Sequence, residues 1–270
     1  ICLHVFEDEI VNDFLHHYEM DHSEILRQAR QQLEAHVTSV LGQASGAEPK
    51  VVIGHPFKEI LREVKESKAD LLVLGSRGHR QKDIRRTGVF AAKCIRKAPV
   101  EVLLVRQHQE GPFRAIVACV DFSDTSKRAV RRAFEIARQD SAPLELLHVV
   151  ATPLVSDGSH LGSPMFMTPI DTVPIVKSCQ AMLQEWIDEI KADGHPEVKV
   201  TATVKEGISA SNVLIEHLHE TEADLAVLGT RGRTGIKGLL LGTTAERLIH
   251  EAPCSALAIK PEDFHYELHS

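Results

Sequence analysis

Short apolar runs alternate with amphipathic segments along the second half of the chain. Five runs rich in Val, Ile, Leu and Ala have the length of strands that are buried on both faces: Ala115–Val120, Leu144–Val150, Val198–Val204, Leu225–Leu228 and Ala256–Ile259. Segments with helical periodicity lie between them: Ser123–Gln139, Val173–Lys191, Ser209–His219 and Thr243–His250. This alternation predicts right-handed βαβ units, and therefore an α/β domain with a five-stranded parallel sheet flanked by helices.

Two of the predicted helices begin with capping signals. Ser123 precedes the first helix, and its hydroxyl is suited to accept a hydrogen bond from an amide of the first turn. Thr243, with Glu246 three residues later, fits a capping box. Both signals indicate where a helix starts in the strand–helix series.

The sequence contains an internal repeat. At one constant offset the matching segments are Ala69–Gly78 with Ala223–Gly232, Gly88 with Gly242, and Ala98–Pro99 with Ala252–Pro253. Self-similarity over such a long period indicates two homologous domains. We place them at residues 1–109 and 112–262, with a linker around Gln107–Pro112.

The two halves differ in length near their beginnings. Leu3–Val5 matches Leu147–Val149 at a shorter offset, which indicates an insertion in the second half at Thr152–Pro174. Phe113–Leu144, the opening strand and helix of the second half, has no counterpart in the first. The opening strand of a doubly wound sheet lies centrally, so its absence would open a gap in the sheet. We expect either residues upstream of Ile1 or another chain to fill that position.

Composition indicates a globular protein, and the net charge disfavours two kinds of partner. Of the 270 residues, 43% are hydrophobic and 26% are charged, which is typical of a globular protein. The 38 Asp and Glu outnumber the 31 Lys and Arg and give a net charge of −7. This balance disfavours nucleic acid or an anionic membrane as the main partner. Since no apolar run approaches the roughly 18 residues of a membrane span and no signal peptide is recognised, we expect a cytoplasmic protein.

The cysteines are candidates for disulfides or metal binding, and a group of histidines is a candidate for metal binding. The five cysteines are scattered and never spaced as CxxC, so we expect reduced, mostly buried thiols: Cys2, Cys94, Cys119, Cys179 and Cys254. A cluster of possible metal ligands lies near the start of the chain: Asp13, His16, His17, Asp21 and His22. His17 and Asp21 would share a face if this segment were one helix. Surface histidines are the preferred interpretation, and no metal site is predicted.

A glycine-rich segment follows the predicted strand Leu225–Leu228 and ends at a predicted helix start. The carboxyl ends of parallel strands are where ligands bind in such sheets. Glycines let backbone amides approach an anion, and a helix N-terminus favours phosphate. The segment combines these features with positive charge: Gly229, Arg231, Gly232, Arg233, Lys237, Gly242, Thr243 and Thr244. It therefore favours phosphate binding, and the alternative is a glycine-rich turn before a capped helix.

The spacing of these residues resembles a known motif. Gly229, Gly232, Gly242 and Thr243 match G-x2-G-x9-G-[ST], which is similar to the nucleotide motif of the universal stress protein family. Further landmarks follow in the family's order: Val120–Ser123, Leu147–Val149 and Ala252–Ser255. The resemblance covers nearly the whole chain as two tandem copies. It implies two doubly wound domains of the adenine-nucleotide α-hydrolase-like type.

The resemblance implies an adenine nucleotide (ATP, ADP or AMP, with or without Mg²⁺) in the second domain. Asp121 would contact the ribose or a phosphate-bound magnesium, and Val149 would lie against the adenine, with its backbone available to the base edge. The implied phosphate-binding residues are Gly229, Arg231, Gly232, Gly242, Thr243 and Thr244. Without the resemblance, Asp121 is better explained as a helix-entry carboxylate beside Ser123, and Val149 as strand core.

The first domain departs from the motif. Gly75, Gly78 and Gly88 keep the spacing, but Val89 replaces the hydroxyl residue, and Asp121 has no counterpart. The basic loop His79–Arg86 suits either loose anion binding or a solvated charge run. We predict a degenerate site that is occupied weakly or not at all.

A phosphate-binding loop alone does not make an enzyme. Phosphoryl transfer also needs a group that positions the attacking water, and no residue stands out for that role. We therefore expect a nucleotide-dependent regulatory protein of the stress response, with the nucleotide as a conformational switch. A weak ATPase on the same site and a nucleotide-free scaffold acting through domain pairing are the alternatives.

The resemblance also bears on assembly. By analogy with the family, Glu101–Val105 would lie near Ser255–Ile259 and cover two sheet edges within the chain. A homodimer is compatible with this arrangement. Phe264–His269 is expected to be a mobile end.

Overall fold

The computed structural model describes residues 1–18, 21–42, 46–76, 87–106, 111–152, 171–192, 197–232 and 241–264. These residues fall into two compact units, which lie within Ile1–Asp70 and Leu71–Tyr266. Side chains of residues 13, 14, 16, 17 and 18 lie outside the described set.

The first unit contains a two-stranded parallel sheet and three helices. Its elements are β1 (Cys2–Phe6), α1 (Asp8–Tyr18), α2 (His22–Leu41), β2 (Pro49–Ile53) and α3 (Pro56–Glu66). The register of β1 and β2 runs from Cys2 opposite Pro49 to Phe6 opposite Ile53. Helix α3 buries Phe57, Leu61 and Val64, whose spacing puts them on one helix face. This apolar face accounts for the packing of α3 in the unit.

The second unit contains a seven-stranded sheet with helices between its strands. Its elements are β3 (Leu71–Gly75), α4 (Val89–Lys97), β4 (Glu101–Val105), β5 (Ile116–Val120), α5 (Asp124–Asp140), β6 (Leu144–Ala151), α6 (Val173–Ala192), β7 (Val200–Gly207), α7 (Ala210–Glu220), β8 (Leu225–Gly229), α8 (Thr243–Glu251) and β9 (Ser255–Ile259). The strand order is β3-β4-β9-β8-β5-β6-β7. Neighbouring strands are parallel except β4 and β9.

The second half of the chain confirms the predicted parallel α/β architecture. Its strands form the series β9-β8-β5-β6-β7, with β5 in the centre and all five β5 residues buried. Helix α5 buries an apolar stripe against the sheet, including Ala129, Ala133 and Ala137. Most predicted bounds agree within one residue. Strand β7 differs, because it starts at Val200 and continues to Gly207 instead of spanning Val198–Val204.

The first half has no strand that corresponds to β5, and its strands are divided between two sheets. In the second half, β6 and β8 both pair with β5. The matching strands of the first half, β1 and β3, belong to separate sheets. This division agrees with the expectation that a sheet without its opening strand is interrupted at that position.

The two repeats meet through the antiparallel pair β4–β9, as the family analogy predicted. Val102 lies opposite Ala258, and Leu104 lies opposite Ala256. Arg106 reinforces this junction, since its backbone amide donates to the Ser255 hydroxyl at 3.1 Å. The pairing covers one edge of each strand and joins β3 and β4 of the first repeat to the five strands of the second.

Three sequence expectations need correction. The N-cap of α8 is Gly242, with no side-chain cap, so the capping box at Thr243 is wrong. Helix α1 ends at Tyr18 and Asp21 is the N-cap of α2, so His17 and Asp21 do not share one helix face. Phe264, expected in a mobile end, is buried at 8% exposure. Residues 265–269 lie outside the described set.

The described residues contain neither a candidate metal site nor a helix suited to a membrane. No group of three or more His, Cys, Asp or Glu among them is placed to hold a metal ion. Nor does any helix in the described ranges combine the length and apolar character needed to cross a membrane.

Four of the five cysteines are buried and Cys2 is half-buried, all as free thiols, as predicted.

Candidate functional site

The candidate site lies where strands β8, β5 and β6 end. These parallel neighbours finish at the same edge of the sheet. The chain leaves β5 toward β6 on one side and later returns through β8 on the other. Such a switch in strand order is where open α/β sheets bind ligands. Asp121, Val149 and Gly229 all lie at this edge.

The turn after β5 is held by its own polar side chains. Asp121 Oδ1 accepts hydrogen bonds from the backbone amide of Ser123 at 3.0 Å and from its hydroxyl at 2.6 Å. Ser123 is the N-cap of α5, as predicted, and accepts from the Ser126 amide at 3.1 Å. These contacts turn the chain from strand into helix and hold the Asp121 carboxylate at the sheet edge.

Phe122, inside this turn, has a left-handed backbone conformation with φ of 61°. For a bulky residue this costs on the order of 1–3 kcal/mol. Its ring packs 4.5 Å from the His148 ring and 5.6 Å from Trp186, centroid to centroid. The aromatic packing offsets the backbone cost and fixes the turn that carries Asp121.

Two glycines of the motif stand where a side chain would collide. A Cβ at position 232 would lie 2.7 Å from Asp121 Oδ2. A Cβ at position 229 would lie 3.0 Å from Thr125 Cγ2 and 3.3 Å from the Ser126 nitrogen. Glycine therefore lets the segment after β8 approach both Asp121 and the first turn of α5.

Backbone hydrogen bonds close the base of the loop between β8 and α8. Thr230 donates its amide to the carbonyl oxygen of Ile259 at 2.9 Å, and Gly242 donates its amide to the Thr230 carbonyl at 2.9 Å. The N-terminus of α8 is thereby held beside the end of β8. Because Gly242 supplies no side-chain cap, the first amides of α8 are suited to an anion, together with Thr243 and Thr244.

Arg231 is the cationic residue in the described part of the loop between β8 and α8. Its Nη1 lies 2.6 Å from Oδ1 and 2.9 Å from Oδ2 of Asp263. Its Nε is buried, and within the described residues no acceptor is in hydrogen-bonding distance of it. The guanidinium therefore keeps a donor direction that an anion could use. Arg233 and Lys237 lie outside the described residues.

A cleft of about 790 Å³ opens beside Arg231. Its lining residues are Phe122, Ser123, Asp124, Thr125, Lys127, Arg128, Arg131, Arg231, Gly232, Pro261, Glu262 and Asp263. Of the residues predicted for the site, only Arg231 and Gly232 line it. Residues 127, 128 and 131 were missed by the sequence analysis, although their helical spacing puts three cations on one face of α5.

The basic face of α5 is partly neutralised by α6. Glu189 lies 2.6 Å from the Lys127 ammonium and 2.9 Å from the Arg131 guanidinium. These hydrogen bonds, the one from Lys127 above all, lower the pKa of the Glu189 carboxyl. The cleft wall is therefore a network of charges rather than a row of isolated cations.

Val149 is part of the sheet core. Its side chain is 9% exposed and does not line the cleft. The pairing of β5 with β6 ends at Val120 opposite His148, whereas β6 continues beside β7 as far as Ala151. The backbone of Val149 therefore lies just beyond the end of β5, on the same sheet edge as Asp121.

The first repeat closes its corresponding loop in the same way. Ser76 donates its amide to Val105 at 2.9 Å, and Gly88 donates to Ser76 at 2.8 Å. Val89, at the position of Thr243, is 86% exposed. Gly78 and residues 79–86 lie outside the described set. The described backbone is thus equivalent at the base of the loop, whereas the first repeat lacks both hydroxyls of the helix start and a counterpart of Asp121.

Comparison with known proteins gives the family of this chain. The model of the Universal stress protein family matches the chain twice, over residues 1–106 and 112–260. The chain belongs to the universal stress protein family. The double match establishes a tandem member of that family.

Similar universal stress proteins come from distant organisms. One from Methanocaldococcus jannaschii is 33% identical over 156 residues, which is 56% of this chain and 84% of the relative. Universal stress protein E homolog of Haemophilus influenzae is 31% identical over 180 residues, 63% of this chain and 55% of the relative. The crystal structure of a universal stress protein from Archaeoglobus fulgidus superposes with a TM-score of 0.62 at 18% identity and covers 96% of this chain and 86% of its own. That similarity shows the shared fold.

Proposed function

We propose that the second domain, residues 112–262, binds an adenine nucleotide and that the protein is a nucleotide-dependent regulator of the stress response. The observation that carries this proposal is the contact between Gly232 and Asp121, where a Cβ would lie 2.7 Å from Oδ2. The glycine leaves room for backbone amides and a carboxylate to face one ligand at the end of β5.

The phosphates would lie between the β8 end and α8. Gly229, Gly232 and Gly242 let the backbone approach them, and the amides, hydroxyls and dipole at the start of α8 favour negative charge. Arg231 adds a guanidinium with a buried Nε that lacks a described acceptor. The uncapped N-terminus of α8 and this Nε are donors of the kind that a phosphate satisfies.

Asp121 and Val149 would hold the remaining parts of the ligand. Asp121 Oδ1 is engaged by Ser123, while Oδ2 faces the Gly232 backbone. Carboxylate oxygen suits Mg²⁺, which proteins commonly bind through one or two carboxylates together with the substrate's phosphates. The β6 backbone beyond His148 is suited to the adenine edge, because β5 no longer covers it there.

The nucleotide would act as a ligand that biases conformation. At a concentration about a hundredfold above its dissociation constant, it would stabilise the folded domain by roughly 2.7 kcal/mol. It would contact both Arg231 and Thr243, on either side of the loop that joins β8 to α8. Nucleotide occupancy would thus change the surface that this loop presents to partners.

Two measurements test the proposal. Native mass spectrometry of freshly purified protein should reveal one adenine nucleotide for each chain. Titration calorimetry with ATP and Mg²⁺ should give saturable binding to the wild type and at least tenfold weaker binding to Gly232→Val. Lys199→Ala, at an exposed position just before β7 and therefore at the opposite edge of the sheet, is a control and should bind like the wild type. Equal affinity in Gly232→Val and wild type would refute the proposed site.

The pairing of β4 with β9 favours one second candidate, a scaffold that works through its joined repeats without a nucleotide. The same measurements separate the two functions. A scaffold would purify without nucleotide and show no saturable ATP binding, and its partner interactions would not change when ATP is added.

A further inference from the structure

The residues that follow β9 pack back onto the second unit. We call Lys260–Phe264 the C-terminal segment. Phe264 is buried, and the Lys260 ammonium lies 4.1 Å from the centroid of its ring. That ammonium also donates to the backbone carbonyl of Ile95 at the end of α4. Arg128 Nη1 donates to the Lys260 carbonyl at 2.8 Å. The segment is therefore held at both ends.

Between these ends the segment brings two carboxylates to the cleft. Pro261, Glu262 and Asp263 line it together with Arg231. Asp263 contacts Arg231 Nη1 with both oxygens, at 2.6 and 2.9 Å. Glu262 is 86% exposed and reaches Arg128 only at 4.0 Å. The match to the family model ends at residue 260, so both carboxylates lie beyond it.

We propose that Asp263 competes with the nucleotide's phosphates for Arg231 and so sets the phosphate affinity of the site. This inference rests on the proposed function. The end of a guanidinium offers Nη1 and Nη2 together to a phosphate, whereas Nε pairs with Nη2 on its side. Both oxygens of Asp263 contact Nη1, so a phosphate that binds the end would have to displace this carboxylate, and one that binds the Nε side would share the guanidinium charge with it.

Displacement of Asp263 is energetically accessible. Its side chain is 67% exposed, so the carboxylate can move into water without being buried unpaired. An ion pair with so exposed a carboxylate contributes little net stability, because water replaces the lost contact. Burial of Phe264 and the contacts of Lys260 would keep the segment nearby and return Asp263 to Arg231 when the ligand leaves.

Competition for Arg231 would weaken the binding of phosphate groups and would leave the binding of the adenine base unchanged. Replacement of Asp263 by Asn keeps the size of the side chain and removes its charge. ATP should then bind roughly two- to fivefold more tightly, the factor that corresponds to the ion-pair energy. Adenosine, which has no phosphate, should bind with unchanged affinity.

The experiment is titration calorimetry of full-length wild type, Asp263→Asn and Glu262→Gln with ATP, adenosine and inorganic tripolyphosphate. Glu262→Gln is the matched control, because it removes one neighbouring carboxylate that does not contact Arg231. ATP and tripolyphosphate should bind more tightly to Asp263→Asn only. Equal or weaker binding of both anions to Asp263→Asn, or an equal gain in Glu262→Gln, would overturn the inference.

The three ligands distinguish failure of the inference from failure of the proposed function. If ATP binds wild type and Asp263→Asn equally, the nucleotide site stands and the competition is wrong. If tripolyphosphate gains affinity but adenosine binds no variant and ATP binds no better than tripolyphosphate, the competition stands and the adenine site is wrong. If no ligand binds any variant, both are wrong.

Discussion

The amide of Gly242 donates a 2.9 Å hydrogen bond to the carbonyl oxygen of Thr230 and closes the base of the second repeat's loop. Gly88 makes the same bond to Ser76 in the first repeat, at 2.8 Å. The described backbone at the loop base is therefore alike in both repeats. The side chains at the helix start differ, since Phe90 stands at the position of Thr244 and Val89 at the position of Thr243.

The comparison of Thr243 with Val89 leads to a prediction about the Thr243 hydroxyl. Thr243→Val should weaken ATP binding about three- to tenfold, the usual worth of one hydrogen bond. Thr243 is exposed and α8 is capped by Gly242, so the unfolding free energy should change by less than about 0.5 kcal/mol. Calorimetry and urea unfolding measure the two effects.

The reciprocal variant tests the degenerate first site. Val89→Thr restores the hydroxyl but not a counterpart of Asp121, so binding should remain at one ATP for each chain. A second equivalent of bound ATP in Val89→Thr would contradict the view that the first repeat lacks a site.

Gly232 and Gly242 should differ in how a methyl group affects nucleotide binding. Gly232→Ala introduces a Cβ 2.7 Å from Asp121 Oδ2, so the carboxylate must move away from the segment after β8, and the thermal shift with ATP should be lost. A Cβ at 242 would lie 3.7 Å from the Thr230 oxygen, an ordinary contact, so Gly242→Ala should keep the thermal shift and should lower the unfolding free energy by about 0.5–1 kcal/mol, because alanine is a poorer N-cap than glycine. Loss of the shift in both variants, or in neither, would show that the contact with Asp121 does not determine the glycine.

Lys260 should make stability depend on pH. Burial lowers the pKa of its ammonium to about 7, from 10.5. Between these values the unfolded chain binds a proton that the folded chain releases, so stability should rise as pH increases from about 7 toward 10.5. The slope contributed by one group is at most about 1.4 kcal/mol per pH unit.

Urea unfolding at pH 7, 8 and 9 measures this contribution as the difference between wild type and Lys260→Met. The wild type should gain stability relative to Lys260→Met as the pH rises. Lys199→Met, at an exposed lysine, is the matched control and should run parallel to the wild type. Parallel curves for Lys260→Met and wild type would be inconsistent with a buried ammonium that deprotonates near pH 7.

The cysteines should react very unequally. Burial raises the pKa of Cys94, Cys119 and Cys254 to about 12, and Cys179 is also buried. Since the thiolate is the reacting species, Ellman's reagent should modify only the half-buried Cys2 quickly in native protein. All five thiols should react after denaturation in guanidinium. Rapid reaction of all five in native protein would contradict the packing of these strands and helices.

The strands of the second half were predictable because they are buried on both faces. A continuous apolar run such as Ile116–Val120 stands out from the polar turns around it. Strand β7 was predicted less accurately because it is not buried on both faces. It is the last strand of the sheet, so its residues are only partly buried, and Lys205 and Glu206 continue it without an apolar signal.

The glycine motif could be found because its residues lie at a recognisable spacing within one short segment of the chain. Gly229 and Gly232 are needed where backbone approaches backbone or carboxylate, and their spacing survives in the sequence. The cations of α5 and the carboxylate of Asp263 could not be assigned in this way. A charged residue has the same local preferences whether it faces a ligand, another charge or water.

The amino-acid sequence by itself determined the two repeats, the order of strands and helices, and the glycines at the end of β8. Each can be recognised from residue types at regular or repeated spacings along the chain. Only the tertiary structure decided that β1 and β3 belong to different sheets, that Gly242 rather than Thr243 caps α8, and that Asp263 contacts Arg231. These outcomes depend on which distant segments pack together, and a pairing between residues far apart in the chain leaves no periodic signal near either one.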